Sequence, residues 1–439
     1  MLYRKISKTI EEYFVSGSNK IMLVEGAHQI GKTFIIRYVG QKHFQNYIEI
    51  NMAADKVDKR AFANVNNIQD FYFQVSMLAG KQMKEVNNTL IFIDEIQEYP
   101  QLLTLLKFLR EDNRYTYIAS GSLLGLALAT TSSIPMGSIQ IVKMYPLDLE
   151  EFCYANGFNA TSIKELENHY KTKQSLDENT HNKLLDMFKK YLIVGGLPDA
   201  VNSYLASFNI HKIRDIQSEI YRYYGADASK YDQEHHLKIQ RIYELIPSTL
   251  ENKKKRIVLK QIENKKSRAS EYKDEFDYLI NSGIALEVKA IANPVFPLLE
   301  SASKNLLKLY LNDVGILTGL LYQNNIRAVL DDNMSINLGG VYESIVAQEL
   351  KAHGYQLFYY DNRLKGEVDF IINDYASLSI LPIEVKSGKD YTVHSALDNL
   401  LNSPDYNVKQ AIVFSNNREI KIKNKVLYLP IYDVMFLNN

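Results

Sequence analysis

Eight residues, Gly26-Ala27-His28-Gln29-Ile30-Gly31-Lys32-Thr33, have the spacing G-x-x-x-x-G-K-[ST]. An apolar run precedes them and a helical pattern beginning at Phe34 follows. Glycines let backbone N–H groups curl around a phosphate at a helix N-terminus, which already favours anions. Lys32 is then placed to bridge β- and γ-phosphates, and the Thr33 hydroxyl to bind magnesium. Leu90-Ile91-Phe92-Ile93 ends in Asp94-Glu95. A buried strand of that kind delivers Asp94 to the magnesium and Glu95 to an attacking water. A later apolar run ends in Ser120-Gly121-Ser122. Ser120 is placed to sense the γ-phosphate, while Ser122 reads equally well as a helix N-cap. A chance Gly-Lys-Thr turn explains the first motif alone, but not its combination with the Asp-Glu strand.

A second constellation lies near the C-terminus, in GEVDFIIN (366–373) and PIEVKSG (382–388). Strand alternation puts Glu367 and Asp369 on one face, and Glu384 and Lys386 on one face. On neighbouring strands, Asp369, Glu384 and Lys386 come together. Two carboxylates can hold a divalent cation, and a lysine beside them can orient a water for phosphodiester attack. Glu343, on a helical stretch upstream, adds a third carboxylate. The bland alternative is a charge-paired trio on an edge strand.

Weaker signals lie between. Asn252-Lys253-Lys254-Lys255-Arg256, with Lys260, Lys265, Lys266 and Arg268, forms a basic patch. It suits a phosphate backbone or an ordinary solvated face. Tyr221, Tyr223 and Tyr224 sit at mixed spacing and read as packing. Cys153, the one cysteine, has no nearby base. His235-His236 has no second pair at metal-ligand spacing.

The elements around these motifs alternate. Strands are expected at 46–52, 89–96, 114–122 and 139–147, with helical patterns between them, which indicates a parallel sheet with crossover helices. From 148 to 205 the pattern is helical. Residues 207–290 are mostly helical and polar, and 284–298 read as a hairpin or wing. Residues 338–439 read as helix, strands, helix, strands. With 439 residues, two to four domains are expected. Lys and Arg total 51 and Asp and Glu 51. Net charge is therefore zero, and nucleic-acid contact would have to come from local basic clusters. A single cysteine excludes a disulfide framework and fits a reducing, cytoplasmic setting. The N-terminal stretch lacks the apolar core of a signal peptide, and no apolar run is long enough to span a bilayer.

GAHQIGKT, LIFIDEIQ and ASGSLLG, followed by MYPLDLEEF and YLIVGGLPDAV, resemble a family of bacterial and archaeal AAA-type ATPases with a C-terminal domain of unknown function. SEIYRYYGADASKY, KLYLNDVGIL, NLGGVYESIVAQEL, EVDF and LPIEVKSG extend the resemblance along the chain. Glu343, Asp369 and Glu384-Val385-Lys386 are similar to the PD-(D/E)xK nuclease pattern, with Val368 where its proline would stand. The resemblance implies an α/β chain: an ATPase core (1–148), a helical lid (149–206), a winged-helix-like segment (207–300), a connector (301–337) and a nuclease-like domain (338–439). It implies ATP and Mg²⁺ at residues 26–34, Asp94 and Ser120, with Glu95 catalytic. A second divalent metal is implied at Glu343, Asp369 and Glu384, beside Lys386. Two positions depart from the family: His28 stands where an arginine is usual, and Ser138 follows Met136-Gly137 where a basic residue is usual. Arg110, Arg114 and Lys143 are the candidates for a basic residue completing the site in a homo-oligomer. Three activities fit: an ATP-controlled nuclease on DNA, a nucleotide-dependent switch whose C-terminal domain only binds nucleic acid or protein, and an ATPase acting on a protein partner.

Overall fold

The computed structural model describes residues 1–80, 83, 86–124, 137–231, 236–252, 255–263, 268–298, 302–331, 336–362 and 364–438. They form two compact units. One holds residues 1, 3–145 and 281–283; the other holds residues 2, 146–280 and 284–439.

The first unit is built on a five-stranded parallel sheet of β1 (Ile21–Glu25), β2 (Asn46–Asn51), β3 (Thr89–Asp94), β4 (Thr116–Gly121) and β5 (Ile139–Lys143). Its order is β2-β3-β4-β1-β5. Strands covered on both faces need continuous apolar runs, and every residue of β1 and β3 is buried. Leu90, Ile91, Phe92 and Ile93 contribute roughly 1.5–3 kcal/mol each by burial, which offsets the cost of delivering Asp94 to the same strand's end. From β1 the chain crosses to the far edge at β2 and returns through β3 and β4, while β5 lies on β1's other side. The strand order thus reverses at β1, and the crevice beyond the carboxyl ends there is where such sheets bind ligands.

The second unit carries an eight-stranded mixed sheet, in the order β12-β13-β11-β10-β9-β8-β6-β7. Its strands are β6 (Ala285–Ile291), β7 (Ala302–Leu311), β8 (Phe358–Asn362), β9 (Gly366–Asp374), β10 (Ser379–Lys386), β11 (Ala411–Ser415), β12 (Lys421–Lys423) and β13 (Val426–Pro430). The helix Gly339–Ala352 is buried from Gly340 to Leu350. A helix covered on all faces must find partners for its polar residues. Gln348 accepts from Val314 N at 3.0 Å and donates to Tyr191 Oη at 2.6 Å, and Glu349 accepts from Leu149 N at 2.8 Å.

Two features differ from the sequence reading. The strand read as part of a hairpin or wing is β6; it pairs antiparallel with β7, as a hairpin would, but it also pairs parallel with β8 and so is built into the large sheet rather than a separate wing. An amphipathic pattern alone does not say which sheet a strand joins. Residues 149–206, read as a lid on the ATPase core, cluster with the C-terminal residues. The Glu349 contact to Leu149 and the packing of helix Glu178–Val194 on helix Val314–Tyr322 tie them there.

Candidate functional site

In the first unit, the loop after β1 begins at Gly26, whose N–H donates to Gly121 O at 3.3 Å. It closes at Gly31, φ 94°, a left-handed conformation that glycine adopts freely, and helix Lys32–His43 follows. Lys32 Nζ donates to Gly26 O at 2.9 Å and Ala27 O at 2.8 Å. Burial holds its ammonium below the usual lysine range, against the pull of Glu95, Asp94 and Glu25. Arg4, buried under the loop, donates to Ile30 O at 2.9 Å and to Tyr145 O at 2.5 Å. Phe34 lies in the first turn of the helix and is exposed.

Asp94 is 1% exposed. It accepts from Thr33 Oγ1 at 3.0 Å, from Asn51 Nδ2 at 3.1 Å and from Ser120 Oγ. Burial raises its carboxyl above the usual range despite the Ser120 hydrogen bond. The Thr33–Asp94 contact brings together the hydroxyl and carboxylate that the sequence assigned to one magnesium ion, and this donor set fits that hard cation. Ser120 is fully buried with its hydroxyl turned to Asp94, so it positions that carboxylate.

Glu95 is held in the left-handed region at φ 52°, where a non-glycine residue is costly and marks a functional constraint. Its Oε2 accepts from Gln97 Nε2 at 2.6 Å, and its Oε1 lies 3.7 Å from His28 Nδ1. His28 Nε2 lies 2.8 Å from Ser122 Oγ. Sequence reasoning singled out Glu95 and His28 but missed Gln97, Asn51 and Arg4. Arg110 donates to Asn19 O at 2.5 Å, and Arg114 pairs with Asp112 at 3.1 Å and sits over the Tyr72 ring. Both flank the end of β4 away from the phosphate loop. Lys143 closes β5 beside Glu25. Ser138 is buried, and Met136 lies outside the described residues.

In the second unit, β9 and β10 pair antiparallel with Ile383 opposite Phe370, and one step on stand Glu384 and Asp369. Val385 N donates to Asp369 Oδ2 at 2.8 Å, and Lys386 Nζ pairs with Glu384 Oε1 at 2.7 Å. Glu343 accepts from Tyr310 Oη at 3.1 Å and pairs with Lys255. Glu343, Asp369, Glu384, Lys255 and Lys386 line one cavity of about 1030 Å³. Burial and the nearby Glu343 and Glu384 push the Asp369 carboxyl well above the usual range. Burial also raises Glu384, against Lys386. At Glu343 burial acts upward too, but Lys255 and Lys308 overcome it and hold the carboxyl low.

The four residues expected together are thus together. Glu384 Oε2 is buried without a hydrogen-bond partner, an atom a cation would satisfy. Among the described residues, however, no three Asp, Glu, His or Cys side chains are gathered closely enough to hold a metal. Lysines stand among the carboxylates instead.

Two members of the basic patch, Lys255 and Arg256, are committed to acids of the chain. Arg256 pairs with Asp361 at 2.6 Å and Glu367 at 2.8 Å. Lys260 and Arg268 are exposed, while Lys253, Lys254, Lys265 and Lys266 lie outside the described residues, as does His235. Tyr221 stacks on Tyr243 with ring centroids 4.8 Å apart, and Cys153 is buried.

Three family models match in succession: an AAA domain over residues 18–153, a domain of unknown function (DUF8612) over 185–327 and a second (DUF4143) over 338–434. The first unit therefore carries an AAA-type P-loop ATPase domain, with the parallel sheet and phosphate loop that class requires. No curated protein matches the chain. Among solved structures, the Walker-type ATPase PABY2304 of Pyrococcus abyssi is 12% identical, covering 73% of this chain and 96% of its own, at a TM-score of 0.41. The Aeropyrum pernix ORC1 protein, solved in complex with DNA, is 12% identical over 76% of this chain and 93% of its own, at 0.31. AMPPCP-bound DnaA from Aquifex aeolicus is 10% identical over 58% and 76%, at 0.31. Likeness at these scores carries no argument about function. Among the described residues, no helix is long and apolar enough to cross a membrane.

Proposed function

We propose that the chain is an ATP-hydrolysing AAA-type ATPase whose C-terminal unit is a metal-dependent nuclease acting on DNA. The observation that carries the ATPase half is the contact of Thr33 with Asp94 beside a phosphate loop. Lys32 holds the β- and γ-phosphates once it leaves the loop carbonyls. Thr33 and Asp94 would hold Mg²⁺, which when bound offsets phosphate charge. Asn51 and Ser120 fix Asp94, and Glu95, fixed by Gln97, takes the proton of the attacking water.

What supports the nuclease half is the convergence of Glu343, Asp369, Glu384 and Lys386 on a helix and two paired strands. Asp369 and Glu384 would hold a divalent metal through the unpartnered Glu384 Oε2, and Lys386 would orient the water; Glu343, closed by Lys255 and Tyr310, stands beside them. The second reading is a nucleotide-dependent switch that binds nucleic acid or protein without cutting. It is favoured by the absence, among the described residues, of three carboxylates at metal-binding distance.

ATP turnover tests the assignment of roles. Glu95→Gln should lower hydrolysis by about 10²- to 10⁴-fold, the worth of a general base, while ATP still binds. Asp369→Ala should hydrolyse ATP as wild type does. Hydrolysis that survives Glu95→Gln would remove Glu95 from the chemistry.

A further inference from the structure

His28 is where the phosphate loop departs from the family it resembles, and the fold sets it between two other parts of the ATPase site. The next residue, Gln29, has φ 61°, and Gly31, which closes the loop, is left-handed too. A non-glycine residue in that region is unusual, so the surroundings fix the course of the loop and with it the place of His28. The ring reaches past the end of β4, where Nε2 lies 2.8 Å from Ser122 Oγ. On the other side Nδ1 lies 3.7 Å from Glu95 Oε1. That is beyond a hydrogen bond, but a small rotation of either side chain makes one.

Gln97, in the turn after β3, closes the circuit. Its Nε2 donates to Glu95 Oε2 at 2.6 Å and lies 3.4 Å from Ser122 Oγ. Its Oε1 is buried without a hydrogen-bond partner. An orphaned buried acceptor is costly, yet turning the amide over would set that oxygen against the Glu95 carboxylate, which is worse. Gly121 makes room for it, since a Cβ there would clash with Gln97 Oε1. Ser122 is 2% exposed, whereas the side chains of His28 and Glu95 are 22% and 15% exposed. The ring of four is therefore sealed at the strand and reachable at the acid.

One placement of hydrogens satisfies this ring. Gln97 turns its two N–H groups to Glu95 and Ser122, and the Ser122 hydroxyl donates to His28 Nε2. The His28 hydrogen then sits on Nδ1 and faces Glu95 Oε1. Both oxygens of the acid thus face N–H groups, one on the phosphate loop and one on the turn after β3. Ser120 does not take part, because its hydroxyl is turned to Asp94.

We propose that His28 is a positioning residue for ATP hydrolysis: together with Ser122 and Gln97 it holds Glu95 toward the attacking water, so the setting of the phosphate loop and the aim of the base are one event. This rests on the reading of Glu95 as the base. A histidine that only braced the loop would act on nucleotide affinity instead.

Steady-state ATP turnover and fluorescent-nucleotide titration of the full chain separate the two roles. His28→Ala should lower kcat about tenfold and leave the Kd for Mg-ATP within about twofold of wild type. Ser122→Ala, outside the loop, should lower kcat by a similar factor. The double variant should lose no more than either single change, because residues that act as one unit are not additive. His28→Gln, which can still accept from Ser122 and donate to Glu95, should recover most of the loss. A weaker Kd with unchanged kcat in His28→Ala, losses that multiply in the double variant, or no recovery with glutamine would each overturn the proposal while Glu95→Gln still abolishes turnover. If Glu95→Gln turns over ATP as wild type does, the base assignment falls and takes the positioning role with it.

Discussion

Asn51 makes two contacts that a pair of substitutions can separate. Its Oδ1 caps the short helix Met52–Val57 by accepting from Ala54 N at 2.8 Å, and its Nδ2 donates to Asp94 Oδ2 at 3.1 Å. Serine caps a helix about as well as asparagine but is too short to reach Asp94. Asn51→Ser therefore removes only the Asp94 contact. For a hydrogen bond to a buried carboxylate this is about 1.5 kcal/mol. Asn51→Ala also loses the cap, about 1 kcal/mol more. In a unit of this size, a 1 kcal/mol change moves Tm by about 2–4 °C. The Ser variant should melt about 3–6 °C below wild type and the Ala variant about 5–10 °C below. Both should bind Mg-ATP more weakly by a similar factor, about tenfold, because both release Asp94 equally. Fluorescent-nucleotide titration and thermal melts of the full chain read these quantities. A Ser variant identical to wild type in both would refute the claim that Asn51 positions Asp94.

Arg4→Ala should weaken ATP binding about tenfold, since it removes the donors to Ile30 O and Tyr145 O behind the phosphate loop; unchanged affinity in the same titration would contradict this. Gly340→Ala should cost about 1–3 kcal/mol of stability through the clash with Leu250 O, read by denaturant unfolding. Asp433 supplies a pH test: burial raises its carboxyl from 3.8 to about 8, with Lys173 opposing. Its folded-state pKa lies above the unfolded one, so the folded state binds the extra proton between them. Its contribution to stability therefore falls as pH rises from about 4 through about 8. Asp433→Asn should be more stable than wild type by a margin that grows from about pH 5 to about pH 8 in thermal melts, and a constant margin would sink this assignment.

The phosphate loop and the Asp94-Glu95 strand were legible because each motif is local and sits in its required setting of strand, turn and helix. Period-two alternation likewise placed Asp369 and Glu384 on facing strands. Asn51, Gln97, Arg4 and Lys255 were not legible. Their roles depend on partners brought close only by the fold: Asn51 meets Asp94 across neighbouring strands, and Lys255 meets Glu343 through an interhelical contact. The basic run at 252–256 illustrates the difference. Its composition suggested a surface for phosphates, yet Lys255 and Arg256 point at acids of their own chain. The β6 strand misled for a related reason, since its apolar pattern is satisfied equally by a small wing and by a place in an eight-stranded sheet.

The coupling of two sites is tested most directly by cleavage of plasmid DNA with Mn²⁺, with and without ATP, in wild type, Asp369→Ala and Lys32→Ala. The account predicts cleavage by wild type, none by Asp369→Ala, and an altered response to ATP in Lys32→Ala. No cleavage by wild type under any of these conditions, with ATP still hydrolysed, would contradict the nuclease and leave the nucleotide-dependent switch.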